Sequence, residues 1–329
     1  MLEVRALETA VLLKGPPMTF WRSKQAIGIA LIVLAALSFA SLDTTIKHVS
    51  KMVPVLMLLW FRYVFQVVTT LALRYPVQKG GLLRTRNPRF QVLRGVLLLV
   101  TTAFSFFGVQ YLPLGEFTAM MMLSPLAATA LSAWFLKTHV ARVRWLLMSG
   151  GLVGVLLVVR PGGQVFGWAL VFPAGLVITY SWFQVLTSCL SGEEDPYTTH
   201  LYTGLVGAMM MSPAMLFTSW RPDALWSHWH WFLLVGVLGT FGHLMLICAY
   251  MRASAPVLTP YLYTQIGFAT LGGWLVFQHT PDPFAWMGIA IIVASGVGNT
   301  LQSMHEFARN SLPTRSAKSI SGHSSGKVP

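Results

Sequence analysis

Apolar blocks constrain this chain more than any other feature. From Ile27 to Met304 they follow one another with short connectors, each near the roughly 20 residues that an α-helix needs to cross a hydrocarbon core. Spans are predicted at 27–46, 54–73, 91–110, 115–136, 143–159, 167–188, 198–219, 229–250, 255–277 and 284–304. A transmembrane β-barrel would instead show alternating segments of about ten residues. Only 10% of the residues are charged, against about 25% in soluble domains. The fold class expected is an all-α integral membrane protein with ten transmembrane helices. Cys189 and Cys248 fall in or beside apolar segments and read as packing residues. The first run is too long for a signal-peptide core and lacks a cleavage site, so it reads as an uncleaved span. Met18 offers an alternative start, which amino-terminal sequencing would test.

Lysine and arginine give the orientation. Eighteen lie in the N-terminal segment, the second and fourth loops, at Arg252 and in the tail, with Arg94 counted in the second loop. Lys47, Lys51, Arg160 and Arg221 lie on the other side, and Arg62 lies within a span. The positive-inside rule puts both termini in the cytoplasm. The net charge of +13 is spread over these loops, and nothing in that pattern suggests nucleic acid. The Glu193-Glu194-Asp195 run reads as a solvated loop.

The chain also repeats itself. Tyr111–Pro161 and Tyr250–Gly298 each hold an apolar run with an internal proline (Pro125, Pro260), a short connector and a run rich in small residues. A shift of 139 pairs Thr101 with Thr240, Tyr111 with Tyr250, Ala130 with Ala269, and Met148 with Met287. Five spans per half force the halves into opposite orientations, an inverted repeat. The expected division is 1–26 as a cytoplasmic segment, 27–160 and 161–304 as the two five-helix repeats, and 305–329 as a disordered cytoplasmic tail.

Leu112-Pro113-Leu114, Ser124-Pro125-Leu126, Arg144-Trp145 and Arg160-Pro161-Gly162 stand in order in the first half. Tyr263-Thr264-Gln265, Pro281-Asp282-Pro283 and the Gly288–Gly296 stretch answer them in the second. In this the chain resembles the drug/metabolite transporter superfamily, specifically its EamA-type ten-helix members, over about residues 27–304. Family members commonly carry Gly-Glu where this chain has Lys137-Thr138 and Gln278-His279, which reads as an altered structural contact. The resemblance implies a secondary transporter of the inner membrane. Its cargo would be a small organic metabolite: an amino-acid derivative or similar, including metal-chelating opine-type metabolites, vitamins or nucleotide-like compounds. Export is the direction it favours, with an importer of a vitamin or nucleotide-like metabolite as the alternative.

Charged and polar side chains inside spans are expensive and tend to line a path. Asp43 and Lys47 share a face near the outer end of the first span, either as a self-neutralising pair or as a substrate or proton site. Arg62 lies about 12 Å into the second span, with Gln66 one turn on. It either bridges to Asp43 or binds an anionic group of the substrate. Tyr180 and Gln184 repeat the four-residue spacing in the sixth span. His243 in the eighth is a proton relay, a substrate contact or a packing residue. Tyr263 and Gln265 follow Pro260, whose ring frees a backbone carbonyl. Asp43 and His243 are the expected proton carriers, and Glu116 is placed at the outer surface and set aside. Gly150 and Gly154, and Ala290, Ala294 and Gly298, form small-residue stripes for helix packing within the chain or in a homodimer. His228-Trp229-His230 fits an interfacial aromatic belt better than a metal site. No GxxxxGK[ST] motif appears, which argues against nucleotide-driven pumping; no cofactor is implied. An intramembrane lipid-modifying enzyme would need a carboxylate or histidine cluster that the chain lacks. A channel would need a filter or lining ring, which is not apparent.

Overall fold

The computed structural model describes residues 18–78, 83–135, 142–160, 166–190, 194–217, 222–250, 252, 258 and 261–311. Pro260, Lys137, Thr138, Glu193, the segment before 18 and the tail from 312 lie outside these residues, as do the expectations placed on them. The described residues are helical almost throughout: α1 (Met18–Val49), α2 (Val55–Gln78), α3 (Pro88–Tyr111), α4 (Leu114–Met121), α5 (Ser124–Phe135), α6 (Arg142–Val159), α7 (Val171–Leu190), α8 (Pro196–Phe217), α9 (Pro222–Ser227), α10 (Trp229–Tyr250), α11 (Thr264–Phe277) and α12 (Pro283–Ser311). Pro88, Pro196, Pro222 and Pro283 each open a helix, where the missing N–H leaves no hydrogen bond unmade.

This is an all-α, multi-pass membrane fold. Six helices among the described residues are long and apolar enough to cross a membrane, within α1, α2, α3, α7, α10 and α12. The other four expected spans differ for identifiable reasons. The fourth is broken at Met122-Leu123 into α4 and α5; Ser124 Oγ donates to Met121 O (2.7 Å), and Pro125 has no N–H to continue the ladder. The fifth, α6, is a shorter apolar helix over Trp145–Val159. Thr198, Thr199, His200 and Thr203 dilute the apolar character of α8. The ninth begins outside the described residues.

The helices pack in reciprocal pairs. α1 packs on α10 and α11, while α7 packs on α3 and on α4–α5. α3 packs on α8 as α10 does on α2; α2 meets α8, α4 meets α11 and α6 meets α12. The α6–α12 contact brings two backbones close together. A Cβ on Gly154 would stand 2.7 Å from Gly288 O, and one on Gly150 2.8 Å from Ser295 Oγ. The small residues of α6 therefore pack within the chain. On α12 the packed stripe is Gly288, Ile292 and Ser295, with Gly298 against Leu147, whereas Ala290 and Ala294 are exposed.

Side chains tie the helix ends. Arg160 Nη1 and Nη2 donate to the two Asp282 oxygens at 3.1 Å each, and Asp282 Oδ1 accepts from Ala285 N–H. At the opposite end the acidic loop is not merely solvated. Glu194 Oε1 accepts from Thr85 Oγ1 (2.8 Å) and from the N–H groups of Arg86 and Asn87 ahead of α3, and Asp195 Oδ1 caps α8 through Tyr197 and Thr198 N–H.

Two expectations follow. Gly154→Val should destabilise the protein by about 1–3 kcal/mol, read as a lower Tm in detergent. Gly267→Ala, where a Cβ meets nothing within 4 Å, should leave Tm unchanged. The Arg160 hydrogen bonds, then the Ala285 N–H, hold the Asp282 carboxyl below its ordinary value. A carboxyl depressed in the folded state stabilises above its unfolded value and ceases to do so as pH falls through the folded one. The Tm advantage of wild type over Asp282→Asn should be full at about pH 7 and close below about pH 4.

Candidate functional site

Gln91, Arg94, Thr101, Thr102 and Ser105 recur at helical spacing along α3, and this stripe organises the interior. At its centre Thr102 Oγ1 donates to Leu98 O and accepts from Tyr63 OH (3.0 Å) and Arg62 Nη2 (3.2 Å). Arg62 is 1% exposed, with its guanidinium carbon 4.1 Å from the Tyr63 ring centre. Gly239 of α10 makes room for it, since a Cβ there would lie 2.9 Å from Arg62 Cδ. Among the described residues Arg62 Nε has no hydrogen-bond partner. One turn along α3, Ser105 Oγ donates to Asp43 Oδ1 (3.2 Å), and Asp43 is buried. No ion pair joins Asp43 to Arg62 among the described residues; α3 hydroxyls engage each separately.

The second half closes the other side. Gln66 Nε2 donates to His200 O (2.9 Å) and lies 3.3 Å from His200 Nδ1. The His200 and His243 rings are 6.4 Å apart, and His243 meets Phe39 edge-on at 5.0 Å. Arg62, His200 and Arg94 all lie within electrostatic reach of His243. Arg62, Gln66 and half-buried His243, expected from sequence, thus meet His200 of α8 in one polar cluster drawn from α2, α8 and α10, and Asp43 of α1 joins it through Ser105 of α3.

Other expectations resolve differently. Lys47 does not neutralise Asp43. Its ammonium donates to Val109 O (2.8 Å) and Leu112 O (2.6 Å), carbonyls left open at the end of α3, where a cation is favoured. Arg94 is no loop residue. It is buried in α3, where Nε donates to Thr187 Oγ1 (2.8 Å), Nη1 to Thr203 Oγ1 (2.9 Å) and to Thr199 O, and its guanidinium covers the Phe183 ring. Removing one residue from the cytoplasmic count leaves the charge bias intact. Tyr180 stacks on that same Phe183 within reach of Arg94. The Gln184 side chain, half-buried, makes no hydrogen bond among the described residues. Tyr263 OH donates to Met122 O (3.3 Å), satisfying the broken fourth span, while Gln265 is buried on α11. Neither joins the Arg62 cluster. Glu116 is buried, not at the surface. Arg94 was legible: it stands on the stripe of Gln91, Thr101, Thr102 and Ser105. His200 carried no comparable signal.

The EamA-like transporter family profile matches this chain twice, over residues 26–160 and 167–300. The chain belongs to the EamA-like transporter family. It is similar to a riboflavin transporter of Rhizobium johnstonii, at 24% identity over 84% of this chain and 91% of that one. An S-adenosylmethionine uptake transporter of Rickettsia bellii matches at 23% over 82% and 91%. The pseudopaline exporter CntI of Pseudomonas aeruginosa matches at 24% over 82% and 94%. A solved crystal structure matches with a TM-score of 0.60 and 18% identity over 87% of this chain and 99% of its own, which bears on the fold. As an EamA-like protein the chain is a small-molecule transporter of the membrane, not an enzyme.

Within this EamA-like chain Arg94 donates to three acceptors on α7 and α8, and so joins α3 to both. Arg94→Ala should lower stability by about 1.5–3 kcal/mol, measured as a fall in Tm in detergent.

Proposed function

We propose that this chain moves a small organic metabolite bearing an anionic group, such as a carboxylate, across the inner membrane by alternating access between two inverted five-helix halves. One observation carries this reading: Arg62, buried at the junction of the halves, has a guanidinium N–H with no partner among the described residues. A desolvated guanidinium is suited to a carboxylate or phosphate. Asp43, the one carboxylate in the cluster, is engaged by Ser105 instead. The cluster draws on α1, α2 and α3 from one copy of the family unit and on α8 and α10 from the other, so a substrate held there touches both halves. The reciprocal helix pairing supports the ten-span, inverted-repeat reading. The basic loops support cytoplasmic termini.

Export is the direction proposed. The similarity to the pseudopaline exporter supports it, and the similarity to the S-adenosylmethionine uptake transporters supports the reverse. Asp43, Gln66, His200 and His243 complete the substrate contacts.

Comparative metabolite profiling of cells with and without the gene, inside and in the medium, tests the proposal. A carboxylate-bearing compound should accumulate inside and vanish outside on deletion; the opposite pattern would make the protein an importer. Arg62→Ala should reduce rescue of that phenotype by about 30-fold or more while the protein still inserts. Near-normal rescue by this variant would remove Arg62 from the site.

A further inference from the structure

Glu116 sits in the first turn of α4 with its side chain 2% exposed. It lies where the halves meet. The adjacent Gly115 abuts Thr270 of α11, so that a Cβ on it would stand 2.5 Å from Thr270 Oγ1. Glu116 Oε1 is 3.0 Å from His279 Nε2, while Oε2 has no hydrogen-bond partner among the described residues. A single contact is thin compensation for a carboxylate taken out of water.

The backbone places His279. Gln278 adopts a left-handed conformation (φ 55°) that ends α11, and the His279 N–H returns to Gly273 O at 3.1 Å. The imidazole is 25% exposed and lines a pocket of about 240 Å³ with Lys47, Tyr111, Leu114, Gly273 and Phe277. It therefore spans from an open pocket to a carboxylate that solvent does not reach, the position of a proton relay.

The charged surroundings are few. Lys47 lies within electrostatic reach of Glu116, but its ammonium is held by the α3 carbonyls. Lys51 lies over the Phe277 ring at 5.9 Å. Among described side chains of the elements packed on α4, α11 carries no titratable group, α7 carries Tyr180, α3 carries Arg89, Arg94 and Tyr111, and α6 carries Arg142. Asp282, ahead of α12, is neutralised by Arg160.

We propose that Glu116 and His279 form a proton-binding site whose loading loosens this end of the bundle. The imidazole takes a proton from the pocket at Nδ1 and gives its Nε2 proton to Glu116 Oε1. The carboxylate becomes a carboxylic acid, the imidazole stays neutral in its other tautomer, and the new O–H donates to Nε2. One proton enters and the charge of the pair rises by one. A charge-assisted contact between α4 and the end of α11 is thereby exchanged for a neutral one of roughly half the strength. The inference deepens the transport reading and moves the proton carrier away from Asp43 and His243.

The test uses the full chain in nanodiscs with Cys189→Ser and Cys248→Ser. Gly273→Cys adds a thiol to the pocket at a position with room for it, the nearest neighbours of a Cβ being 3.8 and 3.9 Å away. Its labelling rate with a membrane-impermeant maleimide is taken relative to that of Met52→Cys, exposed at the same end. This ratio should rise about threefold or more as the pH is lowered, and the rise should be absent with Glu116→Gln. In pH-difference infrared spectra the carboxylic-acid stretch should vanish with Glu116→Gln and persist with Asp43→Asn. A ratio that responds to pH equally in Glu116→Gln, or a band lost with Asp43→Asn and kept with Glu116→Gln, overturns the proposal. Neither assay uses a transported substrate, so their failure is distinct from failure of the metabolite profiling.

Discussion

Inside a hydrocarbon core no water answers a polar group, so protein must do so or the group stays unsatisfied at a cost of several kcal/mol. The interior of this bundle is arranged around that constraint, and α3 bears most of it. Its stripe supplies an amide to Thr199, a guanidinium to Thr187 and Thr203, and hydroxyls to Thr179, Arg62, Tyr63 and Asp43. Those partners sit on α1, α2, α7 and α8, so satisfying the stripe also assembles helices from both halves. An apolar α3 would pack against the same neighbours without setting their rotation.

The degree of satisfaction separates tie from site. At the helix ends each charged group is engaged at two or more points: Lys47 on two carbonyls, Arg160 on both oxygens of Asp282, Glu194 on three donors ahead of α3. Arg94 belongs with them although it lies deeper. Arg62 differs, because its neighbours accept one hydrogen bond and leave Nε without a partner among the described residues. Glu116 differs in the same way, with one oxygen engaged and one not. Burial alone would not distinguish Arg62 from Arg94, since both are buried.

Much of this was legible along the chain, and what was not has a common physical cause. The apolar runs announced a multi-pass helical fold, and a lone cation midway along a span marked Arg62 at once. Lys47 was visible, but its carbonyl partners lie 62 and 65 residues away, so it was paired with the nearer Asp43. Glu116 was set aside because a carboxylate beside a connector looks solvent-facing; its partner lies 163 residues away. Arg94 stands two turns into α3, close enough to its start to pass for a loop residue when charges are counted one at a time. Only the periodicity of its polar neighbours gives it away. Residues whose meaning is local were readable, and residues defined by partners far along the chain were harder to read.

On the proposed reading, the balance of charge in the central cluster bears on how transport proceeds. Arg62 and Arg94 face one another's surroundings with a single carboxylate, Asp43, nearby. An anionic occupant would relieve that imbalance, and it would do so best when helices of both halves close on it, because Arg62 stands on α2 while His200 and His243 stand on α8 and α10. A ligand shifts a conformational equilibrium only through its differential affinity for the two states. Here the difference arises from how many of these groups reach the occupant at once, greatest in the occluded state and smaller when either end is open. Arg94 is engaged at its own helix junction by Thr187, Thr199 and Thr203. Arg62 therefore carries the part of the interaction that depends on closure, and this makes the spare guanidinium N–H, more than the positive charge itself, the feature on which substrate selection and movement would both turn.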